Sequence, residues 1–425
     1  MPTLSQSLLK NFLGLCLALA SLSSSLAHAD RIALVRDPME SLDLRGSSVA
    51  NAETEVFIGS FIWTRGQASE RLARDSATAL RRGKRVRIAL DGALLRFCDT
   101  ECRLQLRYLQ GLGAEVHVYN GLQLANWRNL LRPWRLLRRG HDKIHLVDRK
   151  FAMLGSRNIW DNSFELDGLK LMDLDIAIQG ESCLPDIAAY VEEYWKLTHP
   201  WKLPPLFERD RKRLAELLEP PKIASELAAE LPGKWLDVGD RARFVWDARA
   251  LEKDGTNHID FLEAWFSKIP AKGRLSIASP WILLTPRTQR AFESLLANGT
   301  ELEFFHNSRL QAEYIGGVRG FLDRTYPFVR GRKGIEVYFW NGLTLHYKAM
   351  TDGESSYVGA FNLGPQSESR NSETGLFVQD RAFAEVLERE FQALREGSDS
   401  LPDVDIDDYT RSCASLFAWG SSKVF

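Results

Sequence analysis

Residues 136–162 read LLRRGHDKIHLVDRKFAMLGSRNIWDN, and a paler copy, LTLHYKAMTDGESSYVGAFNLGPQ, returns at 343–366. Each runs His, one residue, Lys, a strand-like stretch, Asp, a turn, then Gly and Asn in the same order. Chance can repeat a hydrophobic pattern. Repeating His, Lys, Asp, Gly and Asn in order as well points to one design used twice.

The repeat extends outward. AEVHVYNGLQL (114–124) and IEVYFWNGLTL (335–345) are both strands running into Asn-Gly-Leu. His346 follows the second at once, whereas sixteen residues, Ala125 to Gly140, precede His141. Further upstream, EVFIGSFIW (55–63) and GRLSIASPWI (273–282) read as buried strands. Each leads into a helix with apolar residues at three-to-four spacing, stopped at Gly83 or Gly299 and followed by another strand. Alternating strands and helices predict an α/β fold of two pseudo-twofold-related halves, each a mixed, mostly parallel sheet flanked by helices. The active site is expected between them.

Composition sets the frame. Across 425 residues, 55 Lys and Arg balance 56 Asp and Glu, which argues against a general nucleic-acid coat. Lys10, the apolar FLGLCLALASL (12–22) and LAHAD predict an export signal cut after Ala29. Cys16 lies outside any convincing lipoprotein box, and no later stretch is long and apolar enough to span a bilayer. The expected division is a signal peptide at 1–29, a first half at 30–197, a Pro-rich charged linker at 198–240, a second half at 241–400 and a tail at 401–425. Export places Cys98, Cys102, Cys183 and Cys413 in an oxidising compartment, periplasmic or extracellular. There Cys98 and Cys102 either close a small disulfide or stay free.

Period two puts His141, Lys143 and His145 on one face of a strand, and His346 and Lys348 on the matching face of the copy. Apposing the halves brings two imidazoles and two ammonium groups into one cleft, with Asn158 and Asn362 as amide donors. Such a pocket suits a phosphate diester: one imidazole attacks phosphorus, the other protonates the leaving oxygen, and the lysines offset charge on the remaining oxygens. His145 with His141 and Asp148 imitates a metal-ligand spacing, but a supporting or surface role is the reading for it, and no metal is required.

HDKIHLVDRKFAMLGSRN matches, at every fixed position, the H-x-K-x-x-x-x-D-x-x-x-x-x-x-G-S-x-N signature of the phospholipase D superfamily, which the chain resembles from about residue 31 to 395. The resemblance is closest to the bacterial cardiolipin synthases of the C-type branch, through GSRNIWDNSF, MDLDIAI (172–178) and the second-half run GAFNLGPQSESRNSETGLFV (359–378). The second motif departs from the family: three residues, not four, separate Lys348 from Asp352, Ala360 replaces Ser, and Gly364 and Gln366 replace Asp and Arg.

The resemblance implies phosphatidyl transfer or hydrolysis through a phosphohistidine. In it His141 is the nucleophile and His346 the acid and later base. Lys143, Lys348, Asn158 and Asn362 hold the phosphate, Ser156 adds a hydroxyl, and Glu373 and Asp175 orient the imidazoles. Asp148 and Asp352 complete the motifs as structural residues. The expected partners are an anionic phospholipid such as phosphatidylglycerol and the membrane surface, met by a monomer with an internal repeat. Neither nucleic acid nor any cofactor is expected. The alternatives are a nuclease of the same superfamily and a decayed, membrane-binding paralogue. The insert Ala125–Gly140, with five Arg and two Trp, reads either as a packed loop or as an interfacial element beside the site.

Overall fold

The computed structural model describes residues 29–120, 138–219, 231, 233–251, 253, 255–307 and 320–401. The expected signal segment, most of the insert before His141, the middle of the linker and nearly all of the tail lie outside the described residues.

The first half opens with β1 (Asp30–Val35) and α1 (Pro38–Ala50), then alternates β2 (Glu55–Ser60), α2 (Gln67–Arg81), β3 (Arg85–Asp91), α3 (Thr100–Gly111) and β4 (Glu115–Tyr119). A hairpin follows, β5 (Ile144–Val147) and β6 (Phe151–Gly155), then β7 (Leu171–Met172), β8 (Asp175–Gln179), α4 (Leu184–Lys196) and β9 (Thr198–Pro200). After α5 (Glu208–Leu217) and β10 (Leu236–Gly239), the second half repeats the plan with β11 (Ala242–Trp246), α6 (His258–Phe266), β12 (Arg274–Ala278), α7 (Pro286–Ala297), β13 (Glu301–Asn307) and β14 (Ile335–Trp340). It ends with β15 (Thr344–Leu345), the hairpin β16 (Ala349–Thr351) and β17 (Ser356–Gly359), the short α8 (Pro365–Ser369), β18 (Thr374–Val378), α9 (Arg381–Glu396) and β19 (Ser398–Ser400).

The first sheet has the order β10-β1-β8-β6-β5-β2-β3-β4-β9 and the second β11-β18-β17-β16-β12-β13-β14-β19. Eight strands correspond one for one, and within these two sheets only β10 has no counterpart among the described residues. Both sheets are mixed, as expected, but most of their pairings are antiparallel and not parallel. Their parallel part is confined to β2-β3-β4 and β12-β13-β14. The reason is local: the helical crossovers α2, α3 and α7 enforce parallel strands, while hairpins such as β5–β6 and β16–β17 enforce antiparallel ones.

The helix stops fall where the sequence placed them. Gly83 and Gly299 adopt φ of +74° and +78°, the left-handed cap that glycine takes without a Cβ penalty. The start of α2 is held from afar, because the Asp161 carboxylate accepts from the N–H groups of Gln67 and Ala68 at 2.9 Å.

Each sheet buries its outer face under helices: Val56, Ile58 and Ile88 under α1–α3, and Leu275, Ile277 and Phe304 under α6 and α7. The inner faces and the helices α4 and α9 share one core, where Ile176 and Ile178 of one half pack with Leu376 and Val378 of the other and with Tyr190 and Phe391. The 198–240 stretch, read as a linker, supplies both outer strands of the first sheet, β9 and β10, and α5 buries Leu214 in its outer core. Strands of three or four residues are too short to show an alternation in the sequence. Cys98 and Cys102 are joined as a disulfide, and Cys183 is a buried thiol. Among the described residues no helix is long and apolar enough to cross a membrane.

Candidate active site

Each histidine is delivered across the interface by a small parallel pairing. Gly140, just before His141, bridges Ser372 of the second half, whose N–H donates to the Arg139 carbonyl at 2.8 Å. In the copy, β15 pairs with β7 of the first half, and the His346 N–H donates to the Met172 carbonyl at 2.9 Å. Each imidazole therefore lands beside an acid of the other half. His141 Nδ1 lies 2.8 Å from Glu373 Oε2, and His346 Nδ1 lies 2.5 Å from Asp173 Oδ1. His141, Asp173 and Glu373 are buried, and His346 is partly so.

This corrects the expectation for Asp175. Its Oδ2 accepts from Ser41 Oγ at 2.7 Å, Arg45 Nη2 at 3.0 Å and Arg157 Nη1 at 3.2 Å, a buried cluster behind the site. Sheet register explains the exchange. Gly155 faces Asp175 across β6–β8, and Gly359 faces Gly375 across β17–β18, so the position matching Glu373 is Asp173, two residues earlier. We expect Asp175→Ala to lower unfolding free energy by about 3–5 kcal/mol, because it leaves two arginines buried without their carboxylate. Urea denaturation measures this. Asp173→Asn should act instead on turnover, reducing kcat about 100-fold or more.

The motif glycines have a packing reason. A Cβ on Gly155 would collide with Leu174 O and the Asp175 side chain, and one on Gly359 with Gly375 and the Tyr357 hydroxyl. Ser156 turns away from the cavity: its Oγ donates to Leu174 O at 3.2 Å and accepts from Leu174 N at 2.9 Å. The backbone contact Ser156 N to Leu174 O is repeated by Ala360 N to Thr374 O, so the second copy keeps the link without a hydroxyl. Ser156 is a structural latch, and Ala360 is no defect of the site.

Asp148 and Asp352 also lie outside it. Asp148 accepts from the N–H groups of Glu53, Thr54 and Glu55, while Asp352 caps its own turn through the N–H groups of Glu354 and Ser355 and accepts from Trp265 Nε1. The shorter Lys348–Asp352 spacing changes that turn and leaves the lysine in place. Lys143 Nζ donates to His141 O at 2.6 Å and Lys348 Nζ to His346 O at 2.7 Å. His145 does not share the face of His141: the strand starts only at Ile144, and the His145 ring contacts Ser48 Oγ of α1 at 2.9 Å.

His141, His346, Asn158 and Asn362 line one cavity of about 350 Å³ between the halves. Its other walls are largely apolar, including Phe61, Leu171, Trp281 and Leu283, with Gly364 and Gln366 on one side. Asn158 has its Oδ1 engaged by Ile62 N–H at 3.2 Å, which leaves its amide NH₂ for a ligand. The Phe61 ring meets His141 edge-on at 4.6 Å and lies 5.1 Å from Lys143 Nζ, a contact that no motif announced.

Burial dominates the electrostatics. It pushes His141 well below the usual imidazole range, with help from Lys143, Lys348 and His346. His346 falls to about 4 through burial, against the pull of Asp173. Burial lowers Lys143 to about 8 and holds Lys348 well below its ordinary value. It raises Glu373 to about 7, against Lys143 and hydrogen bonds from Ser367 and Asn371. Burial works in the same direction on Asp173, but there the adjacent His346 and Lys348 win and keep the carboxylate ionised. Desolvated bases held this far below their ordinary values are what a bound anion would raise again toward their charged forms.

The family described as "Cardiolipin synthase, PLD-like domain" matches residues 47–195 and 270–395, one segment in each half. Cardiolipin synthase C of Escherichia coli (strain K12) is 24% identical over 411 residues, covering 80% of this chain and 79% of that one. An uncharacterized protein of Helicobacter pylori (strain J99) is 26% identical over 393 residues, covering 83% and 76%. Among solved structures, phosphatidylserine synthase of Haemophilus influenzae Rd KW20 superposes with a TM-score of 0.66 at 14% identity, over 92% of this chain and 93% of that one. That superposition bears on the fold.

Proposed function

The chain belongs to the cardiolipin synthase, phospholipase D-like family, and from that premise we propose that it is a phospholipid phosphatidyltransferase working through a phosphohistidine. The observation that carries this reading is the exchange of acids between the halves: two imidazole–carboxylate pairs meet in one cavity, and neither half holds a complete pair. With Nδ1 of each ring engaged by a carboxylate, Nε2 is the nitrogen left for chemistry.

His141 Nε2 attacks phosphorus, forming a P–N bond as the P–O bond to the leaving alcohol breaks, and His346 gives that oxygen its proton. His346 suits the acid role because its carboxylate partner is ionised, so a bound phosphate anion raises it readily toward imidazolium. In the second step His346 takes a proton from the incoming hydroxyl, whose oxygen displaces His141 from phosphorus. Lys143, Lys348 and the amides of Asn158 and Asn362 offset charge on the non-reacting oxygens.

The apolar walls favour a lipid diester over a nucleic acid, and two phosphatidylglycerols joined as cardiolipin with release of glycerol is the reaction we assign, with water as the competing acceptor. Both histidines come from one chain, which supports a monomer as the active unit. The Cys98–Cys102 disulfide and the apolar leader support export and work at a membrane surface outside the cytoplasm. Mature protein mixed with phosphatidylglycerol vesicles is expected to yield cardiolipin and glycerol, with phosphatidic acid as the hydrolysis product, and chelator is expected to leave the rate unchanged. Mass spectrometry of the lipid products checks this. Inert vesicles together with cleaved plasmid DNA would replace the lipid reading with a nuclease.

A further inference from the structure

Between β3 and α3 the chain makes a short turn, Leu94–Phe97, that walls the catalytic cavity with Leu94, Arg96 and Phe97. The turn is fastened at both ends. At its start, Asp91 accepts from Ala93 N at 2.9 Å and from Gly140 N at 2.7 Å, which ties the turn to the residue preceding His141. At its end, Cys98 is joined to Cys102 in the first turn of α3, and the Cys98 carbonyl accepts from Arg103 Nε at 2.9 Å.

A turn anchored this firmly would be expected to tuck a large aromatic away, yet Phe97 is 46% exposed. The Arg96 guanidinium lies 4.9 Å from the Phe97 ring centre, so a cation and an apolar ring share the rim. The second half contributes Trp281 and Leu283 to the same cavity. A ligand that satisfies all of this has an anionic centre at the imidazoles and an apolar chain leading away from it.

We propose that the disulfide-pinned turn Leu94–Phe97 forms, with Trp281 and Leu283, the site that holds an acyl chain of the substrate, and that it sets chain-length selectivity. This rests on the phospholipid reading above. The disulfide's part is positional: it keeps Phe97 at the rim when no chain is there to cover it. Reaction chemistry is untouched by the turn, so its influence falls on how much better a longer chain binds.

The test uses full-length mature protein and diacyl phosphatidylglycerols short enough to stay monomeric in solution, lengthened one methylene at a time. Each methylene entering the site is expected to raise kcat/KM about fourfold until the site is filled. Phe97→Ser and Leu94→Ser should flatten this slope, as should the double variant Cys98→Ser/Cys102→Ser. A general loss of folded enzyme lowers every chain length equally and leaves the slope alone, so misfolding cannot imitate the effect. Phe97→Ser with the native slope would overturn the assignment while leaving the phospholipid reading intact. Cleavage of DNA with every phosphatidylglycerol inert would overturn both.

Discussion

His141→Ala and His346→Ala should each reduce turnover of phosphatidylglycerol by about 10⁴-fold or more, the scale on which losing one member of a cooperating catalytic set is felt. The two variants should fail at different steps. Without His141 there is no nitrogen to receive the phosphatidyl group, so no covalent enzyme forms from any substrate. Without His346 the nucleophile survives, and what is missing is the proton for the departing alkoxide. A phosphodiester whose leaving group departs unprotonated should therefore still label His346→Ala on His141, giving a stoichiometric burst of leaving group. The adduct should then persist, because the base that activates the incoming hydroxyl is absent. Burst kinetics and mass analysis of the intact protein read both halves of this expectation. A covalent adduct on His141→Ala would reverse the roles. Full activity in either variant would remove the paired-imidazole mechanism altogether.

The fold was legible because the duplication is written in residues that do chemistry. GSRN and GAFN mark the ends of β6 and β17, and once these are aligned, eight strands of each sheet fall into register. The site was legible wherever one motif carried it: His141, Lys143, His346, Lys348 and the two asparagines line or support a single cavity. What eluded sequence reading depends on which backbone lies against which. MDLDIAI offers two acids, and the choice of Asp173 over Asp175 follows from Gly155 standing opposite Asp175, a fact of register with no signature of its own. The family resemblance offered the Ser156 hydroxyl to the phosphate, but that hydroxyl is used up on Leu174. The cysteines at 98 and 102 were spaced for a bridge, yet only the turn between β3 and α3 brings them together.

Glu373→Gln should make the protein more stable at alkaline pH and nearly inactive, a combination that separates this carboxylate from a merely structural one. Burial raises Glu373 from an ordinary 4.5 to about 7. Because the folded value lies above the unfolded one, stability is unaffected below about pH 4.5 and is lost progressively as pH rises toward 7, beyond which the loss is constant at about 3 kcal/mol. Glutamine cannot ionise, so at pH 8 the variant should unfold at a higher temperature than the native protein, by an amount that vanishes near pH 4. Catalysis goes the other way. Glu373 Oε1 accepts from Ser367 Oγ at 2.5 Å and from Asn371 Nδ2 at 3.1 Å, so a glutamine keeps its oxygen there and turns its NH₂ toward His141. That donor forces His141 Nδ1 to accept and moves the ring proton to Nε2, the nitrogen that must attack. A wrong tautomer of this kind lowers kcat about 10⁴-fold in hydrolases built on an imidazole–carboxylate pair. In the native protein a proton on the Glu373 carboxyl below pH 7 should act on the ring in the same way and give kcat/KM a limb that rises through about pH 7. Thermal melts across pH and a pH–rate profile measure the two effects separately. A Gln variant with native turnover, or with no gain in melting temperature at pH 8, would show that the Glu373 charge neither strains the fold nor holds the nucleophile.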